Sequence, residues 1–187
     1  VPSGAGAVAK NTSTADITAS ISSGSIVEAA QAVRVEAHDR SDASIDLVSV
    51  TFAGGLAGLA VAVGLGDNDL KNITTASIVN STARAFGQGG ILIDADTVQD
   101  VTTTVSVAAV ALAFGGAGGG GDAETSITST VEAFARASTL TATGNAVVID
   151  ADSTHDSMTR AIGGAGAVGG VISAMRALVN IDGATRA

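Results

Sequence analysis

The phrase Val33-Arg34-Val35-Glu36-Ala37 returns as Ile91-Leu92-Ile93-Asp94-Ala95 and again as Val147-Val148-Ile149-Asp150-Ala151. Its central residues, Val35, Ile93 and Ile149, stand 58 and 56 residues apart. A unit that recurs at a nearly fixed distance, with apolar positions kept and polar positions varied, is a stacking element that buries its faces against the next copy along one axis. About three such units account for a chain of 187 residues. The chain therefore reads as a single repetitive domain over 1–187, with a partial repeat over 1–32 and repeats starting near 33, 91 and 147.

The residues available to such a unit limit its thickness. The chain has 24 Gly and four Phe, and it lacks Trp, Tyr and Cys, so its core is built from Ala, Val, Ile and Gly, which fill only a thin space between close backbones. Local periodicity is two. Val33, Val35 and Ala37 alternate with Arg34 and Glu36, the mark of a strand with one wet face. Val105, Val107, Ala109, Ala111 and Ala113 alternate with Ser106, Ala108, Val110, Leu112 and Phe114, which predicts a strand covered on both faces. A helix over 161–177 would have to absorb Gly163, Gly164, Gly166, Gly169 and Gly170, each costing about 0.5–1 kcal/mol in a helix interior.

The fold class expected is all-β, a repeat β-solenoid or flattened β-stack with a repeat of about 57 residues and a thin Gly/Ala-rich core. At about 3.3 Å per residue a single coil of that length makes a wide ring, so two or three coils or arms per repeat are expected. The absence of Asn-Gly hairpin signals between anchors favours parallel coils. Alignment by letter places Ile17–Ile21, Ile73–Ile78 and Ser126–Val131 as equivalent strands, and Arg84, Arg136 and Arg186 as one position. The Gly-rich runs at 54–58, 115–121 and 163–170 read as close strand approaches or turns. No Lys-Ser/Thr follows Gly121, and the Gly164–Gly169 spacing falls in no βαβ pattern, so they are not phosphate loops.

The uncharged runs Leu47–Gly66 and Val101–Gly121 are long enough by hydropathy to span a bilayer. They lack Leu and Phe bulk, an aromatic belt and basic flanks, so they read as strands, and membrane spanning is not expected. A formal charge of −9 and a pI near 4.3 repel a phosphate backbone, which excludes nucleic acid as an expected partner. Without Cys there is neither disulfide nor thiolate chemistry, a composition compatible with export.

Candidate sites are few. His38 and His155, each just after an anchor phrase, read as residues of wet turns rather than as acid–base or metal groups. Ser22 or Ser157 near a His and an Asp is a triad that abundant Ser produces by chance. Asp94/Asp96 and Asp150/Asp152 put paired carboxylates on one strand face, with Asp100 and Asp156 six residues after Asp94 and Asp150, a pattern that stacked copies would need to hold Ca²⁺. Glu36-Ala37-His38 breaks it, and the metal assignment stays open. Thr74, Thr75 and Thr102–Thr104 would form a flat ice-binding array only if the Thr repeated in every copy, which they do not. No catalytic or cofactor-binding residue is expected, no cofactor is called for, and the chain is not expected to be an enzyme.

The sequence from Val147-Val148-Ile149-Asp150-Ala151-Asp152 through Ala161-Ile162-Gly163-Gly164-Ala165-Gly166-Ala167-Val168-Gly169-Gly170 to Val179-Asn180-Ile181-Asp182-Gly183-Ala184-Thr185-Arg186 resembles the repeat regions of large secreted bacterial adhesins and exoproteins of the filamentous-haemagglutinin kind. The resemblance covers essentially the whole chain and is one of composition and phrase rather than of a single motif. It implies a secreted or cell-surface location and a structural segment of an adhesin, stalk or self-assembling filament, displayed to a host or biofilm surface. The alternatives are a β-helical polysaccharide-processing enzyme, for which Tyr and Trp sugar platforms are missing, and a Ca-stabilised surface-layer module. Because the chain begins and ends mid-repeat, identical subunits or adjacent repeats are expected to stack end to end.

Overall fold

The computed structural model describes residues 2–54, 57–112 and 114–187. Its strands are β1 (Ser3–Ile21), β2 (Ile26–Ala29), β3 (Ala32–Gly54), β4 (Leu59–Val79), β5 (Thr82–Ala85), β6 (Gly90–Leu112), β7 (Gly116–Arg136), β8 (Thr139–Ala142), β9 (Val147–Ala167) and β10 (Gly170–Arg186). The pattern long, short, long repeats, and like strands stack in parallel. Two broad sheets, β1-β4-β7-β10 and β3-β6-β9, face each other, and the narrow sheet β2-β5-β8 joins them at one end. We call that the proximal end. The chain reverses at the other, distal end between β3 and β4, β6 and β7, and β9 and β10.

Each sequence repeat is therefore one coil rather than two or three, and of the two alternatives expected it is the arms that form. The coil is flattened: it runs out along about 20 residues, crosses by a four-residue strand, and returns. Two long arms replace the wide ring. Register follows the anchor phrases, with Val35 beside Ile93 and Ile93 beside Ile149.

Alternation places odd residues of β3, β6, β7 and β9, and even residues of β4, inside. Near the proximal end the core holds Val33, Val35, Ile78, Ile91 and Ile93, with Ile149 and Ala151 packed on it from the last coil. Near the distal end it holds Leu47, Ala60, Ala62, Val105, Val107 and Ala109. Here the sheets are too close for side chains on both. A Cβ on Gly64 would come within 2.8 Å of Val105 and 2.9 Å of both Leu47 and Val107, so the glycine of one sheet makes room for the larger residues opposite.

Letter alignment slips where the structure does not. Ile17 pairs with Thr74, Ile73 with Thr130, and Ile127 with Leu70, because the step in this sheet is 57 residues at both junctions, where the letters suggest 56 and then 53. A one-residue slip exchanges inside for outside. Likewise Arg84 lies in the narrow sheet, Arg136 beside Val79, and Arg186 beside Glu132, so these three are not equivalent. The outer side of β6 also differs from expectation: among the described residues no element covers Ser106, Ala108 and Val110.

The proximal corner repeats in backbone conformation where letters differ. Ser23, Asn80 and Ala137 all have positive φ, at 65°, 49° and 51°, and the corner backbone bonds from coil to coil through Gly24 N–H to Asn80 O and Asn80 N–H to Arg136 O. Left-handed backbone suits Asn but costs Ala roughly 1–2 kcal/mol. Ala137→Gly is thus expected to raise stability by about 1 kcal/mol, read as a higher denaturation midpoint. The opposite change marks the core: Ile93 is fully buried, and Ile93→Asp should lower stability by more than about 3 kcal/mol. An unchanged melting curve in that variant would contradict the inward placement of the anchor.

Candidate functional site

The carboxylates that the sequence singles out lie on the outer face of β3-β6-β9 toward its proximal end. Period two brings Glu36, Asp94 and Asp150 into one row across the strands. The next row is His38, Asp96 and Asp152, and a further one is Asp42, Asp100 and Asp156. Neighbours within a row are about 4.8 Å apart, and successive outward positions on a strand are about 6.6 Å apart. The sequence thus identified this face correctly, and the stack brings its carboxylates together in rows.

Within these three rows positive charge enters from the first coil, and Arg160 of the last coil lies further toward the distal end. Arg34 bonds Glu36 at 2.9 Å, and His38 Nδ1 lies 3.9 Å from Asp96 Oδ2. Asp94 occupies the middle of its row. Partial burial pushes its carboxyl pKa above the ordinary 3.8, His38 opposes that, and the neighbouring Asp150, Asp96 and Glu36 add to it. These carboxylates form a grid, not a cage: among the described residues no three His, Cys, Asp or Glu side chains are arranged to hold one metal ion.

The two histidines lie on opposite sides of this sheet, and neither occupies the wet turn expected of it. His38 is outward in the middle of β3, whereas His155 is inward in β9, beside Gln99 in the ladder. His155 Nε2 is 2.9 Å from Ser153 Oγ, and its Nδ1 is buried without a hydrogen bond. Burial lowers its pKa below 6.5, which favours the neutral ring. No triad forms with Ser157: both side chains point inward, His155 is bonded to Ser153, and Asp156 between them points out. Ser22 lies in the proximal turn beside Ser23. Of the candidate Thr, Thr74 and Thr103 are buried while Thr75, Thr102 and Thr104 alternate outward, so no flat Thr array forms.

The interior holds polar residues that sequence reasoning did not find. Thr74 bonds Thr97 at 2.7 Å; Asn72 donates to Asp39 and, at 2.7 Å, to Ser41; Asn68 donates to Thr103 at 2.7 Å. Thr103, Thr125 and Thr159 continue this line from coil to coil at 2.8 and 2.7 Å. Gln99 is fully buried, with neither end of its amide bonded to protein. The available signal was that Asn68, Asn72 and Thr74 share their period-two phase with Ala60 and Ala62. Asn and Thr read as wet by residue type, and phase alone places them inside.

The Gly-rich runs at 115–121 and 163–170 build distal turns and strands, whereas residues 55 and 56 of the run at 54–58 lie outside the described residues. Gly115 lies in the turn before β7, which contains Gly116 and Gly118–Gly121, while Gly163, Gly164 and Gly166 lie in β9. No helix follows either run. Beside them are shallow apolar grooves, one lined by Leu59, Val61, Gly118 and Ile172, another by Val48, Val50, Ala108 and Ile162.

Comparison with protein-family models, with curated proteins and with solved structures finds no match for this chain.

The raised pKa of Asp94 carries a pH dependence. Above its folded pKa the buried charge disfavours the native state; below the unfolded value both states are protonated and the effect is gone. Asp94→Asn is therefore expected to raise the melting temperature at pH 7 and to lose that advantage as the pH falls from the raised folded pKa to the unfolded value of about 3.9. Paired thermal melts at the two pH values check the sign.

Proposed function

We propose that this chain is an extracellular structural repeat segment, of the stalk or filament kind found in secreted adhesins, which gains length by stacking coil on coil. The observation that carries the reading is the state of its axial ends. The outermost strands β1, β2 and β3 at one end, and β8, β9 and β10 at the other, have one neighbour each in their sheets. Parallel ladders and core columns run to both ends, where Ile181 stacks on the fully buried Ile127 and is itself 46% exposed. Such an end offers unpaired N–H and C=O groups together with apolar surface, and another coil of the same shape satisfies both.

The adhesin assignment draws on the resemblance of the Val147–Ala187 phrase and on the acidic, Cys-free composition. A stack of this design supplies reach, and its function resides in repeated outer rows rather than in a cleft. The isolated chain is expected to form fibres that grow along the coil axis, visible by electron microscopy. Ile181→Lys places a charge on the last coil and should shorten them while leaving the β-rich circular dichroism spectrum in place. Monodisperse monomers at high concentration would defeat the assembly of separate copies.

A further inference from the structure

The distal third of the flattened stack carries large apolar side chains on its outer faces as well as in its core, where Ser49 and Thr51 are the buried polar residues. Proximal to it, charged residues occupy the outer faces; Lys10, Asp67, Asp122 and Arg176 are the last on one broad sheet, and Asp46 and Arg160 on the edge strands of the other. Beyond that border the exposed side chains include Val61, Val63 and Leu65 on one face and Val48, Val50 and Phe52 on the other. The rim joins the two faces. There Phe114 is 81% exposed, Ile172 78%, Val168 71% and Leu112 70%. The described residues of the uncharged runs, 47–54 and 57–66 in one and 101–112 and 114–121 in the other, form the strand ends and starts at this rim.

A water-facing sheet surface ordinarily carries polar residues. With strands about 4.8 Å apart and about 3.3 Å of rise per residue, each apolar face covers roughly 300–400 Å². The two faces and the rim together exceed the largest apolar patch of a typical soluble monomer, about 300–600 Å². A second copy laid on one face would bury roughly 600–800 Å² in total, below the approximately 1,000 Å² of a stable interface. It would also leave the other face and the rim in water. An occupant that covers both faces and the rim at once must surround an edge, and a lipid surface does so.

We propose that the distal rim is a lipid-docking edge, which enters the headgroup–acyl boundary of a membrane while the charged proximal part stays in water. No helix among the described residues is long and apolar enough to cross a membrane, and none is needed for this contact. Depth is limited by the backbone. Inner strands such as β4, β6 and β7 are paired on both sides, but β1, β3, β9 and β10 each have a free edge, and unpaired peptide groups are not tolerated in hydrocarbon. Penetration therefore stops at roughly 5–10 Å, the depth of interfacial elements, where water still reaches those edges. The net charge of −9 makes zwitterionic lipid the better host, since an anionic surface repels the protein. Docking does not depend on end-to-end stacking, because a single molecule and a stack present the same rim.

The absence of Trp from the chain gives a clean probe. Phe114→Trp places one indole on the rim, and Phe86→Trp places one just after β5, at the proximal end. With phosphatidylcholine vesicles the protein should co-float, and the rim indole should shift to the blue and be quenched by bromine on the acyl chains. The proximal indole should do neither. Phe52→Asp combined with Ile172→Asp, both outward and exposed, should reduce vesicle partition roughly tenfold or more without altering the thermal melt. Failure to co-float would overturn the proposal. So would a rim emission already blue-shifted without vesicles and red-shifting on dilution, which would assign the rim to contact between copies.

Discussion

Every other feature of this molecule depends on parallel pairing of each coil with the next, in register along strands of about 20 residues. A single coil is two thin arms with a core one strand deep, and its peptide groups are half unpaired. Stacking completes both. Val33, Val35 and Ala37 are buried because Ile91, Ile93 and Ala95 lie beside them, and these in turn are covered by Ile149 and Ala151. Exposed ion pairs such as Lys10 with Asp67 and Arg84 with Glu28, both at 2.7 Å, also join successive coils. They contribute little to stability in water, but they favour the register that backbone and core already require.

Thinness is the second constraint, and it decides composition. Two sheets whose interiors contain Gly64 and Gly66 opposite Leu47 and Val105 approach more closely than sheets lined with large residues throughout. Size is complementary across the gap, so volume is conserved while identity drifts. The same closeness explains why so few aromatic residues occur and why those present lie outside the core: Phe52, Phe86 and Phe114 are exposed, and Phe134 is half-buried on the outer side of β7.

Between its proximal and distal apolar clusters, around a small third one of Ala43, Leu70, Val101 and Ile127, the interior carries hydrogen-bonded Asn and Thr, with Asp39 accepting from Asn72. Buried polar groups discriminate among registers because a shifted strand leaves them without partners. We regard the Asn68–Thr103–Thr125–Thr159 line as a device of that kind, fixing the depth at which one sheet faces the other.

The sequence alone determined the β class, the repeat length and the register of the anchor phrase, because period-two alternation and a recurring apolar triplet are local facts that tertiary structure has no freedom to reverse. It also determined the acidic outer face, since Asp94, Asp96, Asp150 and Asp152 share one phase with the outward residues of their strands. Only the tertiary structure decided that one repeat makes one coil. That outcome depends on the four-residue strands β2, β5 and β8 and on the positive-φ corner at Ser23, Asn80 and Ala137, whose letters differ although their geometry repeats. Only the fold could separate His38 from His155, place Asn68 and Gln99 in the interior, and show that Ala108 and Val110 lie under nothing. Residue type reports what a side chain prefers; which face it receives is set by how the arms close on each other, and that closure involves residues far apart in the chain.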